Sequence, residues 1–116
     1  MAIQNWSDDI TVVDLTDDPH FSDELDNLTD RQAGKPSDIV LNFDAVGFIN
    51  SSNISKLLRL RKLMLQDQHR LIVCDVNTQV WGVFLVTGLD KIFEFTNDIS
   101  TALATLQIAG GESGPA

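Results

Sequence analysis

Asp38-Ile39-Val40-Leu41-Asn42-Phe43 leads through Ala45-Val46-Gly47-Phe48-Ile49-Asn50 into Ser51-Ser52-Asn53-Ile54-Ser55-Lys56-Leu57-Leu58, and this passage decides the fold. Its first six residues are nearly all apolar, as expected of a central strand covered on both faces rather than an edge strand of alternating polarity. The apolar character lasts to Asn50, after which the spacing predicts a helix from about Ser51 to Gln66.

The same order of elements recurs on either side. Upstream, the β-branched run Ile10-Thr11-Val12-Val13-Asp14-Leu15 predicts a strand, with Asp18 placed to cap and Pro19 to open the helix that follows. In that helix Phe21, Leu25 and Leu28 share one face and Asp23, Glu24, Asp26 and Asp30 the other, until Ala33-Gly34-Lys35-Pro36 ends it. Ile3 to Trp6 is read as an extra edge strand, turned back at Ser7-Asp8-Asp9. Downstream, His69 to Asp75 is a third apolar strand ending in an acid. Asn77 caps a helix to about Thr87, with Gly88 as its left-handed stop. A short strand, Ile92 to Phe95, then passes through Thr96-Asn97-Asp98 into a helix carrying Ile99, Leu103 and Leu106. Strands alternating with helices in this way define an α/β domain with parallel central strands.

A chain of 116 residues has room for one such domain, and 43% hydrophobic with 22% charged residues is a globular composition. The expected division is a domain over residues 1–108 and a flexible tail over 109–116. One cysteine, Cys74, forms no internal disulfide, and with His20 and His69 it makes no usual zinc site. With no basic-then-apolar leader and no apolar run of membrane-spanning length, a cytoplasmic protein without membrane insertion is expected. The net charge of −9 argues against direct nucleic-acid binding. That charge is lopsided: residues 1–50 carry 11 acids and 2 bases, whereas residues 51–116 carry 6 of each.

Four features carry candidate chemistry. Asp14, Asp17, Asp18, Asp44 and Asp75 lie at strand ends, either as caps and turn residues or as a Mg²⁺ cluster of the kind found in phospho-accepting receivers. The receiver is disfavoured, because Lys91 precedes the last strand instead of ending it. Ser51 and Ser52 stand where a helix begins and its first amides lack partners, so one is either the N-cap or a phosphate acceptor. Ser52, Lys56, Arg59 and Lys62 fall along one line of that helix, a ridge serving either solubility or the steering of an acidic partner. Arg61 points to the core margin, where it snorkels. The helix after Asn77 is apolar round most of its circumference, so some of Trp81, Val83 and Val86 face outward unless the core contact is unusually broad. No nucleophile with an adjacent base, glycine-rich phosphate loop or metal-ligand spacing is present, so neither an enzyme nor a cofactor is expected.

The segment Val46 to Leu58, preceded by Asp38 to Phe43 and followed by Arg70 to Asp75 and Thr87-Gly88-Leu89, resembles the STAS domain of anti-sigma factor antagonists. The resemblance extends from about Ile10 to Leu106. It implies a single STAS domain: a mixed sheet with parallel central strands and helices mainly on one face. In that family the segment reads Phe-hydrophobic-Asp-Ser-Ser/Thr-Gly-Leu, and its first serine is phosphorylated by a partner kinase that is also the anti-sigma factor. Ser51 then takes the acceptor position, Ser52 its neighbour and Ile54 the buried aliphatic position. Asn50 stands in place of the family's Asp, and Asn53 in place of its Gly, where asparagine is the side chain that best tolerates a left-handed backbone.

The resemblance therefore implies a bacterial regulatory adaptor in transcription control and not an enzyme. Asn50, Ser51, Ser52, Asn53, Lys56, Arg59 and Trp81 would form its partner surface. The implied partners are an anti-sigma serine kinase of the histidine-kinase-like ATPase fold and a serine phosphatase, with a homodimer through the helix around Trp81 left open. The alternative is a STAS subunit bracing the ATPase of a lipid-transport ABC complex, with no phosphate involved.

Overall fold

The computed structural model describes residues 3–111. Five strands and four helices follow one another, strand and helix alternating from β2 onward: β1 (Ile3–Asn5), β2 (Ile10–Thr16), α1 (His20–Gly34), β3 (Asp38–Ala45), α2 (Ser51–Gln66), β4 (Leu71–Cys74), α3 (Thr78–Thr87), β5 (Glu94–Thr96) and α4 (Ile99–Gly111). The strands lie in chain order across one sheet, β1 antiparallel to β2 and the other neighbours parallel. Paired residues Val12, Val40 and Ile72 stand side by side across its centre.

Strand alternation sorts the core into two layers. Val13, Leu15, Ile39, Leu41, Phe43 and Val73 point to one face, where Phe21, Leu25 and Leu28 of α1, Leu57, Leu60 and Met64 of α2, and Val80 and Phe84 of α3 cover them. Ile10, Val12, Val40, Ile72 and Cys74 point to the other, covered by Ala102 and Leu106 of α4. Right-handed crossovers between successive parallel strands place α1, α2 and α3 on the same side, and only α4, which has no strand to return to, lies opposite. Helices thus lie mainly on one face, as the resemblance implied.

Some boundaries differ from expectation for local reasons. Leu89–Lys91 forms a 3-10 turn and the Ile92 N–H bonds to the Leu89 carbonyl, so the last strand starts at Glu94 rather than Ile92. β4 starts at Leu71 rather than His69, because the His69 N–H still bonds back to Met64 of α2. α4 continues to Gly111, so the tail expected over residues 109–116 overlaps that helix at its start and otherwise lies outside the described residues. Asn77 and Gly88 bound α3 as expected, the latter at φ 78°. Among the described residues no helix is long and apolar enough to cross a membrane.

Candidate functional site

The serine segment starts where β3 ends. Val46 and Ile49 turn inward, while Phe48 is left 58% exposed just before the serines. The loop is held by the turn after β2: Asp17 Oδ1 accepts from the Gly47 N–H at 2.7 Å. A Cβ at position 47 would lie 3.3 Å from the other oxygen of that carboxylate, which explains glycine at the point of closest approach. From the far side, Asn77 Nδ2 donates to the Val46 carbonyl at 2.8 Å and ties the start of α3 to the same loop.

Neither serine caps α2. Asn50 does so, its Oδ1 accepting from the Asn53 N–H at 2.8 Å while Asn53 Oδ1 accepts from the Asn50 N–H at 3.0 Å, a reciprocal capping box. The two asparagines that depart from the family pattern are therefore each other's partners. Asn53 is helical, not left-handed, and only 2% exposed, so it lies beneath the surface on which a partner-contacting residue was expected. Its Nδ2 donates to Asp18 Oδ2 at 2.9 Å and to Ser22 Oγ at 3.2 Å. Asp18 itself accepts from the Ser22 N–H and hydroxyl and from Asn50 Nδ2. The Ser22 hydroxyl is the main reason its carboxyl sits below the usual aspartate range, with burial opposing and Asn53 adding to the effect.

Ser51 and Ser52 are thus both exposed in the first turn of α2, and neither hydroxyl is engaged by another of the described residues. Asn50 is exposed beside them. Lys56 Nζ is bound to Asp26 of α1 at 2.7 Å, so the basic ridge faces α1 and its first base is neutralised within the chain. Arg59 and Lys62 remain exposed further along, bordering a shallow groove with Thr29 of α1. Arg61 is half-buried beside Met64 and Leu71, as snorkelling requires.

Trp81 is half-buried, with its ring edge-on to Phe95 of β5 at 5.0 Å. The outward apolar side chains of α3 are Val86, 88% exposed, and Leu85. Lys56 faces α1, whereas Trp81 packs on Phe95 of β5.

The strand-end acids are mostly engaged: Asp14 accepts from Asn42 Nδ2, Asp17 from Gly47 and Asp18 as above. Among the described residues no three His, Cys, Asp or Glu side chains form a metal-holding group. Asp75 adopts φ 58°, and its carboxyl is pushed up by burial first and then by Asp44 and Asp98. Burial likewise pushes the Cys74 thiol up to about 12.

The sequence pattern left Phe48 as part of an apolar run and Asp18 as a cap or a member of an acidic cluster, and its bracing of α2 through Asn53 and Asn50 was not read. The signal for the latter was present in the paired acids Asp17 and Asp18, one more than a cap needs.

A three-to-one helix distribution, parallel centre and serine pair at the start of the middle helix define a small α/β module built around one exposed helix terminus. The chain belongs to the STAS domain family, whose model matches residues 10–102. An anti-sigma F factor antagonist of Paenibacillus polymyxa is 31% identical over 93 residues, spanning 78% of this chain and 80% of that protein. Among solved structures, RsbS of Moorella thermoacetica superposes with a TM-score of 0.81 at 16% identity, covering 95% of this chain and 97% of that one. SpoIIAA, the Bacillus cell fate determinant in its phosphorylated form, superposes with a TM-score of 0.71 at 17% identity, covering 90% and 96%. At these identities the structural likeness establishes the fold.

Proposed function

We propose that this chain is an anti-sigma factor antagonist: a cytoplasmic, non-enzymatic adaptor that binds an anti-sigma serine kinase and is released from it by phosphorylation of Ser51. The observation carrying this reading is that Asn50 supplies the helix cap, which leaves the Ser51 hydroxyl exposed and unengaged at the position the family motif assigns to the acceptor. The likeness to the Paenibacillus antagonist supports the role, and the existence of SpoIIAA in unphosphorylated and phosphorylated forms supports the switch.

The kinase transfers the γ-phosphoryl group of ATP to Ser51 Oγ, leaving ADP, and a serine phosphatase hydrolyses the ester. The phosphate adds roughly −1.5 to −2 charges at a helix start already bordered by Asp17 and Asp18. Lys56, the first base along α2, is held by Asp26. That cation is thereby already engaged, and burying the dianion against a partner without a matching charge costs on the order of several kcal/mol.

The test is phosphate incorporation by the cognate kinase with ATP, read by mass spectrometry, together with kinase binding by the wild type, Ser51→Ala and Ser51→Asp. Phosphate on Ser51, binding by Ser51→Ala and loss of binding by Ser51→Asp are expected. No incorporation, with Ser51→Asp binding as tightly as wild type, would reject the switch. Co-purification with a membrane-associated ATPase instead would favour the bracing subunit.

A further inference from the structure

At the opposite end of β3 from the serines, Trp6, Asp9, Ile10, Asp38, Leu106 and Gln107 border an open recess of about 370 Å³. Ile10 and Asp38 are paired neighbours at the starts of β2 and β3, and strand alternation turns both toward the face that α4 covers. Leu106 and Gln107 of α4 close the recess from that side.

The turn before β2 forms the other wall. The Trp6 and Ser7 N–H groups both bond to the Ile10 carbonyl, at 3.0 and 3.1 Å, and the Asp38 N–H bonds to the Asp9 carbonyl at 2.8 Å. These bonds hold the backbone of Trp6 and Asp9 against the sheet. Trp6 is nevertheless 45% exposed, so its ring is an open wall and not a core contact.

The charge lining the recess is negative. Asp9 is exposed and its carboxylate accepts no hydrogen bond from another described residue, and Asp8 beside it is exposed as well. Asp38 is met from behind: its Oδ1 accepts from the Arg70 N–H at 2.9 Å and faces His69 Nδ1 at 3.0 Å, whereas its Oδ2 has no partner among the described residues. The Arg70 guanidinium is itself committed to Glu94. No lysine, arginine or histidine lines the recess.

An apolar floor, one open indole and two lining carboxylates select a flat cation. A guanidinium stacks on the indole while its fork of N–H donors serves the carboxylates, and its methylene stem covers Ile10 and Leu106. A lysine ammonium supplies the charge but not the stacking plane. A carboxylate or phosphate would meet two acids and no base. Residues 109–116 contain one acid and no base, so the guest comes from another molecule.

We propose that this recess receives an arginine side chain of a protein partner, at a docking point separate from Ser51 and independent of the state of that serine. The eight residues of β3 stand between the recess and the serine loop, so one partner can hold the recess while another engages Ser51.

The chain contains two tryptophans, so the indole N–H signal of Trp6 can be followed by ¹⁵N NMR with Trp81 as an internal reference. The probes are a capped glycine-arginine-glycine tripeptide and the same peptide with citrulline at its centre, which keeps the shape of arginine and removes its charge. The arginine peptide is expected to shift the Trp6 indole and the Asp9 and Asp38 amides, leaving Trp81 unmoved, and the citrulline peptide to bind about threefold more weakly or worse.

Asp9→Asn and Trp6→Ala should each weaken arginine-peptide binding about threefold, the latter read at the Asp9 and Asp38 amides. Asp9 is exposed and its carboxylate supports no described hydrogen bond, so Asp9→Asn keeps the fold. Equal binding of the two peptides, no response at Trp6 at millimolar peptide, or an unchanged affinity in either variant would overturn the proposal. A Trp6 shift that tracks protein concentration without peptide and disappears in Arg59→Ser would overturn it as well, assigning the recess to a second copy of the chain. Ser51→Asp should leave the arginine response intact, so this experiment and the kinase experiment fail independently.

Discussion

The Asn53 carboxamide donates to the Asp18 carboxylate at 2.9 Å, joining the first turn of α2 to the turn that opens α1. Asn53 is buried, and the same side chain completes the cap of its own helix. Removing it thus breaks the cap and leaves Asp18 short of a donor. Asn53→Ala should cost about 1–3 kcal/mol of folding stability in urea unfolding. Asp18→Ala should cost about 1 kcal/mol, and the double variant less than the sum of the two, with a coupling of about 1 kcal/mol. Strict additivity would mean that the contact does not tie the helices together. Asn53→Gly, which restores the family pattern, should be destabilising in this chain for the same reason.

The shifted carboxyls make opposite contributions to stability as pH changes. Asp18 ionises more readily when folded, so it contributes stability above the ordinary aspartate range, and this is lost as the pH falls through its folded value. Asp75 ionises less readily when folded, so at neutral pH its charge works against folding, and acidification relieves the penalty. Asp75→Asn should therefore stabilise the protein at pH 7 by about 0.5 kcal/mol, discounted for solvent screening, with the gain disappearing below the aspartate range. Thermal unfolding at pH 7 and near pH 3.5 checks the sign. A variant less stable than wild type at pH 7 would contradict it.

Much of the fold was legible because its signals are local and redundant. Apolar strands at Ile39 to Phe43 and Leu71 to Cys74, the Asn77 cap and the Gly88 stop each state their own conformation. The core layers follow from period-2 alternation once the strands are known. The site was less legible, because its decisive contacts join residues about 30 positions apart. Asp17 with Gly47, and Asp18 with Asn53, come together through the sheet order, which spacing along the chain does not display. Lys56 shows the same limit: helical geometry placed it on a ridge, but only packing against α1 shows that Asp26 holds it.

Trp81 and Val86 separate buried from free apolar surface on one helix. Trp81 packs on Phe95, so Trp81→Glu should cost about 2 kcal/mol or more, placing a charge against an aromatic ring and a core margin. Val86 is 88% exposed, and Val86→Glu should stay within about 0.5 kcal/mol of wild type. If self-association runs through α3, sedimentation should show it lost in Val86→Glu while the monomer stays folded. An oligomer that survives Val86→Glu would remove that face from consideration.

Ser51 and Ser52 should be almost silent in stability, in contrast with Asn50. An N-cap supplies an acceptor to a backbone N–H of the first turn, and Asn50 already does this for Asn53. Ser51→Ala and Ser52→Ala should each change unfolding free energy by no more than about 0.5 kcal/mol, whereas Asn50→Ala should cost about 1 kcal/mol. A loss near 1 kcal/mol in either serine variant would show that its hydroxyl caps the helix in solution. The small expected change makes the serines clean functional probes, since binding lost in Ser51→Asp then reports on the interface and not on the fold. Ser52→Ala should remain phosphorylatable, because neither the cap nor the acceptor depends on its hydroxyl. Ser51→Ala should bind the kinase and take up no phosphate.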